Sequence, residues 1–189
     1  MFSRLRHVMR IAHVLALVFA ACTLPANAKR AGVHLYVMLG LGGMSPGLSE
    51  FGDSIGRRGI PTTVGSYSEW AAFAQQAIDD YRSGRVGAIM IVGHSLGGGA
   101  ARAMAAELAQ AHVPVKLLVA LDPVGDSELT GNVRRAVTIL PGEGEDHFSM
   151  IEAHRGELEG YVLGGRGPRH MRARAPEAVP ENSSYGAIY

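Results

Sequence analysis

The segment 88–112 constrains the fold more than any other part of this chain. Residues 88–92 form a short apolar run of the kind found in buried strands, and an alanine-rich stretch of helical composition starts near Gly98. Only the pentapeptide Gly-His-Ser-Leu-Gly at 93–97 separates them. We therefore predict a strand, a tight turn and a helix, in which a side chain at either outer glycine of the pentapeptide would collide with the turn.

The residue at the centre of this turn is Ser95, and its setting is typical of a nucleophile. A strand-turn-helix layout of this kind holds the serine in a strained turn with its hydroxyl exposed at the edge of the sheet. A serine hydroxyl is a poor nucleophile at neutral pH, so it needs a base beside it and a partner that orients the base. Those partners are expected at the carboxyl ends of neighbouring strands, where the functional groups of open α/β sheets cluster.

The rest of the chain alternates between strand and helix patterns. Apolar and β-type runs predict strands at 33–39, 61–66, 88–92, 115–121 and 135–140. Helical spacing predicts a short helix within 44–59, and longer helices over 70–81, from about 98 to 112 and over 151–158. The alternation predicts an α/β fold with a mainly parallel sheet of about five to six strands and helices on both faces. The segments between the strands are too short for a lid domain.

Composition indicates one soluble domain and argues against several classes of partner. The chain has 189 residues, of which 47% are hydrophobic and 19% are charged, which is ordinary for a globular protein with a core. The formal net charge of +1 provides no electrostatic basis for binding nucleic acid. A single cysteine excludes an intramolecular disulfide and a zinc cluster built on cysteines.

The first 28 residues have the pattern of a secretion signal. Basic residues near the start precede an almost wholly apolar stretch at 11–24, and Ala26-Asn27-Ala28 matches a cleavage site. We therefore predict a signal peptide at 1–28, a domain at 29–163, and a secreted or periplasmic protein. The apolar stretch is short for a membrane span, so no stable span is expected after cleavage. Residues 164–189 are rich in Gly, Arg and Pro, lack periodicity, and are predicted to form a poorly ordered tail.

Two alternatives for the N-terminal segment remain open. It could stay uncleaved and serve as a membrane anchor. Alternatively, Cys22 follows two alanines and could carry a lipid anchor, although Phe19 stands where a bacterial lipidation motif usually has Leu. Cleavage after Ala28 would remove Cys22 and leave the mature chain without cysteine, which suits an oxidising compartment.

The acid that would orient the base is sought after the next predicted strand. Asp122 comes directly after the strand 115–121, and Asp126 lies four residues further along the same loop. An Asp-Pro pair after a strand is also a common turn former, because the aspartate side chain can bond its own backbone. Asp122 is therefore the first choice for the acid, and Asp126 remains the alternative.

His147 is the first choice for the base, since it lies a few residues beyond the predicted strand 135–140. His154 is the alternative, but it falls inside a predicted helix. The remaining candidates have structural explanations. His94 should point away from the serine hydroxyl, and His112 stands at a helix end, where it interacts favourably with the helix dipole. His34 is expected to be a buried, hydrogen-bonded strand residue.

Acyl transfer also needs fixed N–H groups that stabilise negative charge on the carbonyl oxygen. One is expected from Leu96, directly after the candidate nucleophile, and the other from the loop after the strand 33–39. That loop is Gly-Leu-Gly-Gly at 40–43, in which Leu41 is the first choice and Gly42 the second. A phosphate-binding glycine loop is the competing interpretation, but the loop has neither the Lys-Ser/Thr of a P-loop nor the later glycine of a dinucleotide fingerprint.

These motifs resemble those of the α/β-hydrolase superfamily. The loop 40–43 is similar to the H-G-x-G of such enzymes, with Leu39 in place of the usual histidine, and 93–98 is similar to the G-H-S-L-G-G of lipases and thioesterases. The similarity spans about residues 33–160 and implies a minimal α/β-hydrolase fold without a lid domain. It implies a serine esterase, lipase or thioesterase that needs neither metal nor cofactor and acts on a small or lipid-like acyl substrate.

The resemblance also assigns roles in the chain order Ser, Asp, His. Ser95 would attack a carbonyl, His147 would take the serine proton and pass it to the leaving group, and Asp122 would orient the imidazole. In the usual family pattern the acid follows the second strand after the nucleophile and the histidine the third, whereas here they follow the first and the second. The motifs leave open an acyltransferase with the same residues, or a hydrolase-fold protein that binds without catalysis.

Overall fold

The computed structural model of the protein describes residues 32–125 and 128–164. The predicted signal peptide, Cys22, Asp126 and the predicted tail beyond Gly164 lie outside these residues. The domain boundaries at 28 and 163 therefore stay predictions.

The described residues form an α/β fold built on one five-stranded sheet in which every pair of neighbouring strands is parallel. Its strands are β1 (Gly32–Leu39), β2 (Thr62–Ser66), β3 (Val86–His94), β4 (Val115–Leu121) and β5 (Ala136–Ile139). Their spatial order is β2-β1-β3-β4-β5. The predicted fold class is confirmed, with five strands, and the described part of the chain shows no lid domain.

The helices that connect these strands are α1 (Leu48–Arg57), α2 (Trp70–Arg82), α3 (Leu96–Gln110), α4 (Ser149–Ala153) and α5 (Arg155–Val162). The predicted start of α3 near Gly98 is two residues late, because the glycines there pack against neighbouring main chain and are accepted within the first turn. The prediction of one helix over 151–158 is wrong. Two helices cover this region, and they meet at His154, whose φ of −97° and ψ of 8° depart from helical values.

Helices cover both faces of the sheet, which explains the unbroken apolar runs in its central strands. Successive residues of β1 alternate between two buried clusters, because side chains of a strand point to opposite faces. Tyr36 and Met38 pack towards α2 and α3, whereas Leu35 and Val37 pack towards α1 and α5. None of the helices within 32–125 and 128–164 is long and apolar enough to cross a membrane.

The strand order creates a crevice at one end of the sheet. The chain passes from β1 to β2 on one side and then crosses to β3 on the other, so the loops leaving β1 and β3 diverge from adjacent strands. In sheets with this order, ligands bind outside the carboxyl ends of the strands at this point of divergence. The loop 40–43 leaves β1 here and Ser95 follows β3 here, so the fold itself brings these two segments together.

Candidate active site

Ser95 occupies a strained turn between β3 and α3. Its φ of 58° and ψ of −125° lie in a region that residues other than glycine rarely adopt. Its N–H donates to the carbonyl of Leu121 at 3.0 Å, and its carbonyl accepts from the N–H of Val124 at 2.9 Å. The surrounding main chain therefore holds the turn from both sides, as strain of this kind requires.

The glycines beside Ser95 are required by close approaches of the main chain. A Cβ atom at Gly93 would collide with the carbonyl of Gly97, as predicted. A Cβ atom at Gly97 would instead collide with the carbonyl of Met38, so the obstacle there is the neighbouring strand rather than the turn. A Cβ atom at Gly98 would lie 2.6 Å from the Cβ of Pro123. Helix α3 can therefore start directly at the end of the sheet.

Asp122 and His147 form a short hydrogen bond at the same end of the sheet. The distance from His147 Nδ1 to Asp122 Oδ2 is 2.6 Å. An ionised carboxylate only accepts, so Nδ1 carries the proton and Nε2 of the neutral ring keeps its lone pair. Each side chain is about one third exposed, at 33% and 32%, so the pair remains accessible to a substrate.

The backbone of Asp122 is also held firmly. Its N–H donates to the carbonyl of Ile139 in β5 at 2.8 Å. Its φ of 37° is positive, which aspartate tolerates better than most residues. The loop after β4 therefore turns sharply and keeps the carboxylate at the sheet edge, next to the strand end that carries Ser95.

His147 lies beside the end of β3. Its ring centroid is 4.5 Å from that of His94, the residue before Ser95, and its carbonyl accepts a hydrogen bond from Nε2 of His94 at 2.7 Å. Across the described parts of the chain, the Ser95 hydroxyl itself makes no hydrogen bond. The described structure therefore brings His147 to the end of β3 without joining it to Ser95 by a hydrogen bond.

Backbone N–H groups are available on both sides of Ser95. Leu96 is the first residue of α3, so its N–H has no acceptor within the helix and lies at the positive end of the helix dipole. In the loop after β1, the N–H of Gly40 is bonded to Ser45 Oγ at 2.9 Å and that of Gly43 to the carbonyl of Gly40 at 3.1 Å. The N–H groups of the two residues between them, Leu41 and Gly42, have no acceptor within 32–125 and 128–164.

Large apolar side chains are exposed in the loops at this end of the sheet. They are Leu41, Met44, Val124, Leu140 and Phe148. Phe148 makes an edge contact with the ring of His147, at 5.1 Å between centroids. A shallow groove of about 380 Å³ runs between Phe148 and the segment 43–47. Ser95, Asp122 and His147 do not line this groove, which meets the candidate site only through the contact of Phe148 with His147.

The other histidines are placed away from this chemistry. Both ring nitrogens of His154 are occupied, by Glu157 at 2.9 Å and Glu145 at 3.2 Å. His34 lies near the start of β1, at the opposite end of the sheet. Its Nε2 is hydrogen bonded to Thr63 Oγ1 at 2.9 Å, so the expected partner is present, although the side chain is only partly buried. His112 is exposed after the end of α3 with a φ of 59°.

Sequence reasoning missed Ser45 and did not recognise the full environment of His94. Ser45 is only 4% exposed, and its Oγ contacts both the N–H of Gly40 and Nδ1 of His94, each at 2.9 Å. A serine in a glycine-rich loop carries no local signal for burial, so the sequence could not have revealed this contact. His94 itself is fully buried, and its Nε2 contacts the main chain of His147.

Comparisons with known proteins do not assign a family. No model of a protein family matches the chain, and no curated protein matches it either. No group of three or more His, Cys, Asp or Glu side chains in the described ranges could hold a metal ion.

Proposed function

We propose that the protein is a serine hydrolase that cleaves carboxylic ester or thioester bonds through an acyl-enzyme intermediate. The observation that carries the proposal is the Asp122–His147 hydrogen bond, which lies at the end of the sheet where Ser95 occupies its strained turn. A strained serine at a strand-helix turn, an imidazole and an orienting carboxylate are the three groups that nucleophilic acyl transfer uses.

The proposed reaction runs in two halves. In the first, Ser95 Oγ attacks the carbonyl carbon while His147 Nε2 takes the hydroxyl proton, and the same proton then passes to the leaving alcohol or thiol. In the second half, a water molecule attacks the acyl-serine, His147 takes a proton from the water and returns it to Ser95, and a carboxylic acid is released. Asp122 stabilises the imidazolium formed in each half.

Negative charge on the carbonyl oxygen would be stabilised by the N–H groups of Leu96 and Leu41, with Gly42 as the alternative in the second position. Each such donor contributes about 10²–10³ in rate when it is fixed in place. The α/β architecture supports this assignment, because the crevice between the loops that leave β1 and β3 is where sheets of this order bind ligands.

The proposed substrate is a small or lipid-like acyl compound. Exposed apolar side chains such as Met44 and Phe148 border the groove, which adjoins the candidate site through Phe148, and they suit an acyl chain better than a highly charged substrate. The proposed setting is secreted or periplasmic, on the basis of the N-terminal sequence pattern, and the proposed mechanism uses no metal or organic cofactor. Transfer of the acyl group to an acceptor other than water would use the same residues.

The second candidate is a hydrolase-fold protein that binds an acyl compound without cleaving it. The observation that favours it is the Ser95 hydroxyl, which makes no hydrogen bond to His147 in the described structure. In this candidate the Asp122–His147 pair would have a structural role, and the groove would serve binding alone.

Covalent labelling separates the two candidates. A fluorophosphonate probe should modify Ser95, as identified by peptide mass spectrometry. Hydrolysis of p-nitrophenyl esters and acyl thioesters of graded chain length should depend on the same residue. Ser95→Ala should lose both labelling and turnover, whereas Ser83→Ala, which changes an exposed serine at the end of α2, should retain both. A folded wild-type protein that takes up no probe would refute the proposal and leave the binding protein.

A further inference from the structure

His94 is fully buried, and each of its ring nitrogens contacts a different loop. Nε2 lies 2.7 Å from the main-chain carbonyl of His147, and Nδ1 lies 2.9 Å from Ser45 Oγ. A carbonyl oxygen only accepts, so Nε2 is the nitrogen that carries the proton. Nδ1 of the neutral ring is therefore an acceptor, and the hydroxyl of Ser45 donates to it.

The same serine continues the connection into the loop after β1. Ser45 Oγ accepts from the N–H of Gly40 at 2.9 Å, so its single proton is free to point at His94. Three hydrogen bonds in series thus run from Gly40 through Ser45 and His94 to the main chain of His147. They cross the end of β3. They join the loop after β1, which holds the N–H groups of Leu41 and Gly42, to the loop that holds His147.

The network requires an uncharged His94. A protonated ring would have donors at both nitrogens, and Nδ1 could no longer accept from Ser45. Burial, as the main cause, lowers the pKa of His94, and the neighbouring ring of His147 lowers it as well. The hydrogen bond to the His147 carbonyl and the charge of Asp122 act in the opposite direction. The buried ring of His94 is therefore suited to remain neutral at neutral pH.

We propose that His94 is a positioning residue that sets the distance between the loop after β1 and the loop carrying His147. The inference rests on the proposed function for its catalytic consequence, because a site of this kind must be held within about 0.5 Å of its productive geometry. The Asp122 carboxylate orients the ring of His147, whereas His94 holds the main chain of the same residue. These two contacts have different roles and can be removed separately.

The test compares three substitutions with one control. His94→Leu removes both hydrogen bonds, and His94→Gln keeps one donor and one acceptor in a side chain of similar reach. Ser45→Ala removes the hydrogen bonds to Gly40 and to His94 Nδ1 and leaves the one from His94 Nε2 to the His147 carbonyl. His34→Leu is the control, since it removes a hydrogen-bonded histidine from the opposite end of the same sheet.

Two measurements are made on the full chain. The first is kcat for a p-nitrophenyl ester together with the rate of fluorophosphonate labelling. The second is amide hydrogen exchange, which does not depend on activity. The N–H groups of Gly43 and Met44 report on the loop after β1, and those of Phe148 and Ser149 report on the loop of His147.

In His94→Leu we expect kcat and the labelling rate to fall about 10- to 100-fold, as small misplacements of catalytic groups do, with a much smaller change in KM. Exchange should become faster in both loops, and His94→Gln should recover most of the loss. Ser45→Ala should speed exchange mainly at Gly43 and Met44. The control should match the wild type in activity and in both loops.

Wild-type labelling and unchanged exchange in folded His94→Leu would overturn the inference while leaving the proposed hydrolase intact. If His94→Leu does not fold, the decision passes to Ser45→Ala and His94→Gln, and unchanged loop exchange and labelling in Ser45→Ala would overturn it equally. If the wild type neither labels nor turns over ester, yet both loops open together on loss of His94, the proposed function fails and the positioning role of His94 stands.

Discussion

Asp122→Asn is the sharpest test of the site, because it changes one atom of a hydrogen bond that the structure defines. The carboxylate lies 2.6 Å from His147 Nδ1 and stabilises the charge that forms there when Ser95 gives up its proton. Asparagine keeps the shape but removes the charge. It can also present its amide N–H₂ to Nδ1, which would move the ring proton to Nε2 and leave no base facing the serine.

The two effects bracket the expected loss. Opposite charges about 4 Å apart attract by about 1 kcal/mol in water and about 4 kcal/mol at an effective dielectric constant of 20. Because both side chains are about one third exposed, solvent screening favours the lower part of that range, or roughly a tenfold fall in kcat. A wrong tautomer would add to this, up to about 10⁴-fold by analogy with serine proteases. We therefore expect kcat to fall between about 10-fold and 10⁴-fold, with little change in KM.

The assay is steady-state hydrolysis of a p-nitrophenyl ester, with urea unfolding to show that the fold is kept. Asp126→Asn is the matched control, since it makes the same chemical change four residues away in the sequence. If Asp122 is the acid, Asp126→Asn should leave kcat within about twofold of the wild type, since it removes no group that the proposed mechanism uses. Equal and mild losses in the two variants would show that Asp122 is not the acid and would refute the argument from the 2.6 Å contact.

Two further predictions concern stability. Gly97→Ala should lower the free energy of unfolding by about 1–3 kcal/mol, because its Cβ would overlap the carbonyl of Met38, whereas Gly160→Ala, in α5 with open space around it, should raise stability by up to about 1 kcal/mol. Urea unfolding checks both variants. A Gly97→Ala protein as stable as the wild type would contradict the close approach of Gly97 to Met38. Burial lowers the pKa of His94 and His34 below the usual 6.5. Below about pH 6.5 the unfolded chain therefore binds more protons than the folded protein. The free energy of unfolding should be highest above that pH and should decline on acidification. The decline between about pH 7.5 and 5.5 should be smaller in His94→Gln, and an equal decline in both proteins would contradict it.

Much of the fold could be predicted because its signals are local. Strand β4 was predicted with its observed boundaries, since a continuous apolar run at 115–121 lies between Pro114 and the Asp122-Pro123 pair. The start of α3 was misjudged because glycine is a poor helix former in isolation, and only contacts with β1 and the loop after β4 explain why glycines belong there. The break at His154 gives no local signal, because His154 contacts Glu157 at a helical i,i+3 spacing and only its contact with Glu145 reaches outside the two helices.

The candidate site, like the fold, could be predicted from the sequence only where its signals are local. Ser95, Asp122 and His147 could be proposed because each follows a recognisable strand, and parallel strands bring their carboxyl ends to one edge. The contact between Ser45 and His94 had no such signal, since the two residues are 49 positions apart and meet only when the loop after β1 folds over the end of β3.

The amino-acid order alone determined the alternation of strands and helices, the glycine-flanked serine and the edge at which its partners would gather. These follow from steric limits and apolar periodicity among residues close in the chain. Only the folded molecule decided which aspartate oxygen meets which imidazole, which N–H groups stay free, and how two loops are joined through a buried ring. Such contacts depend on hydrogen-bond geometry between distant segments, which exists only once the sheet and its covering helices have packed.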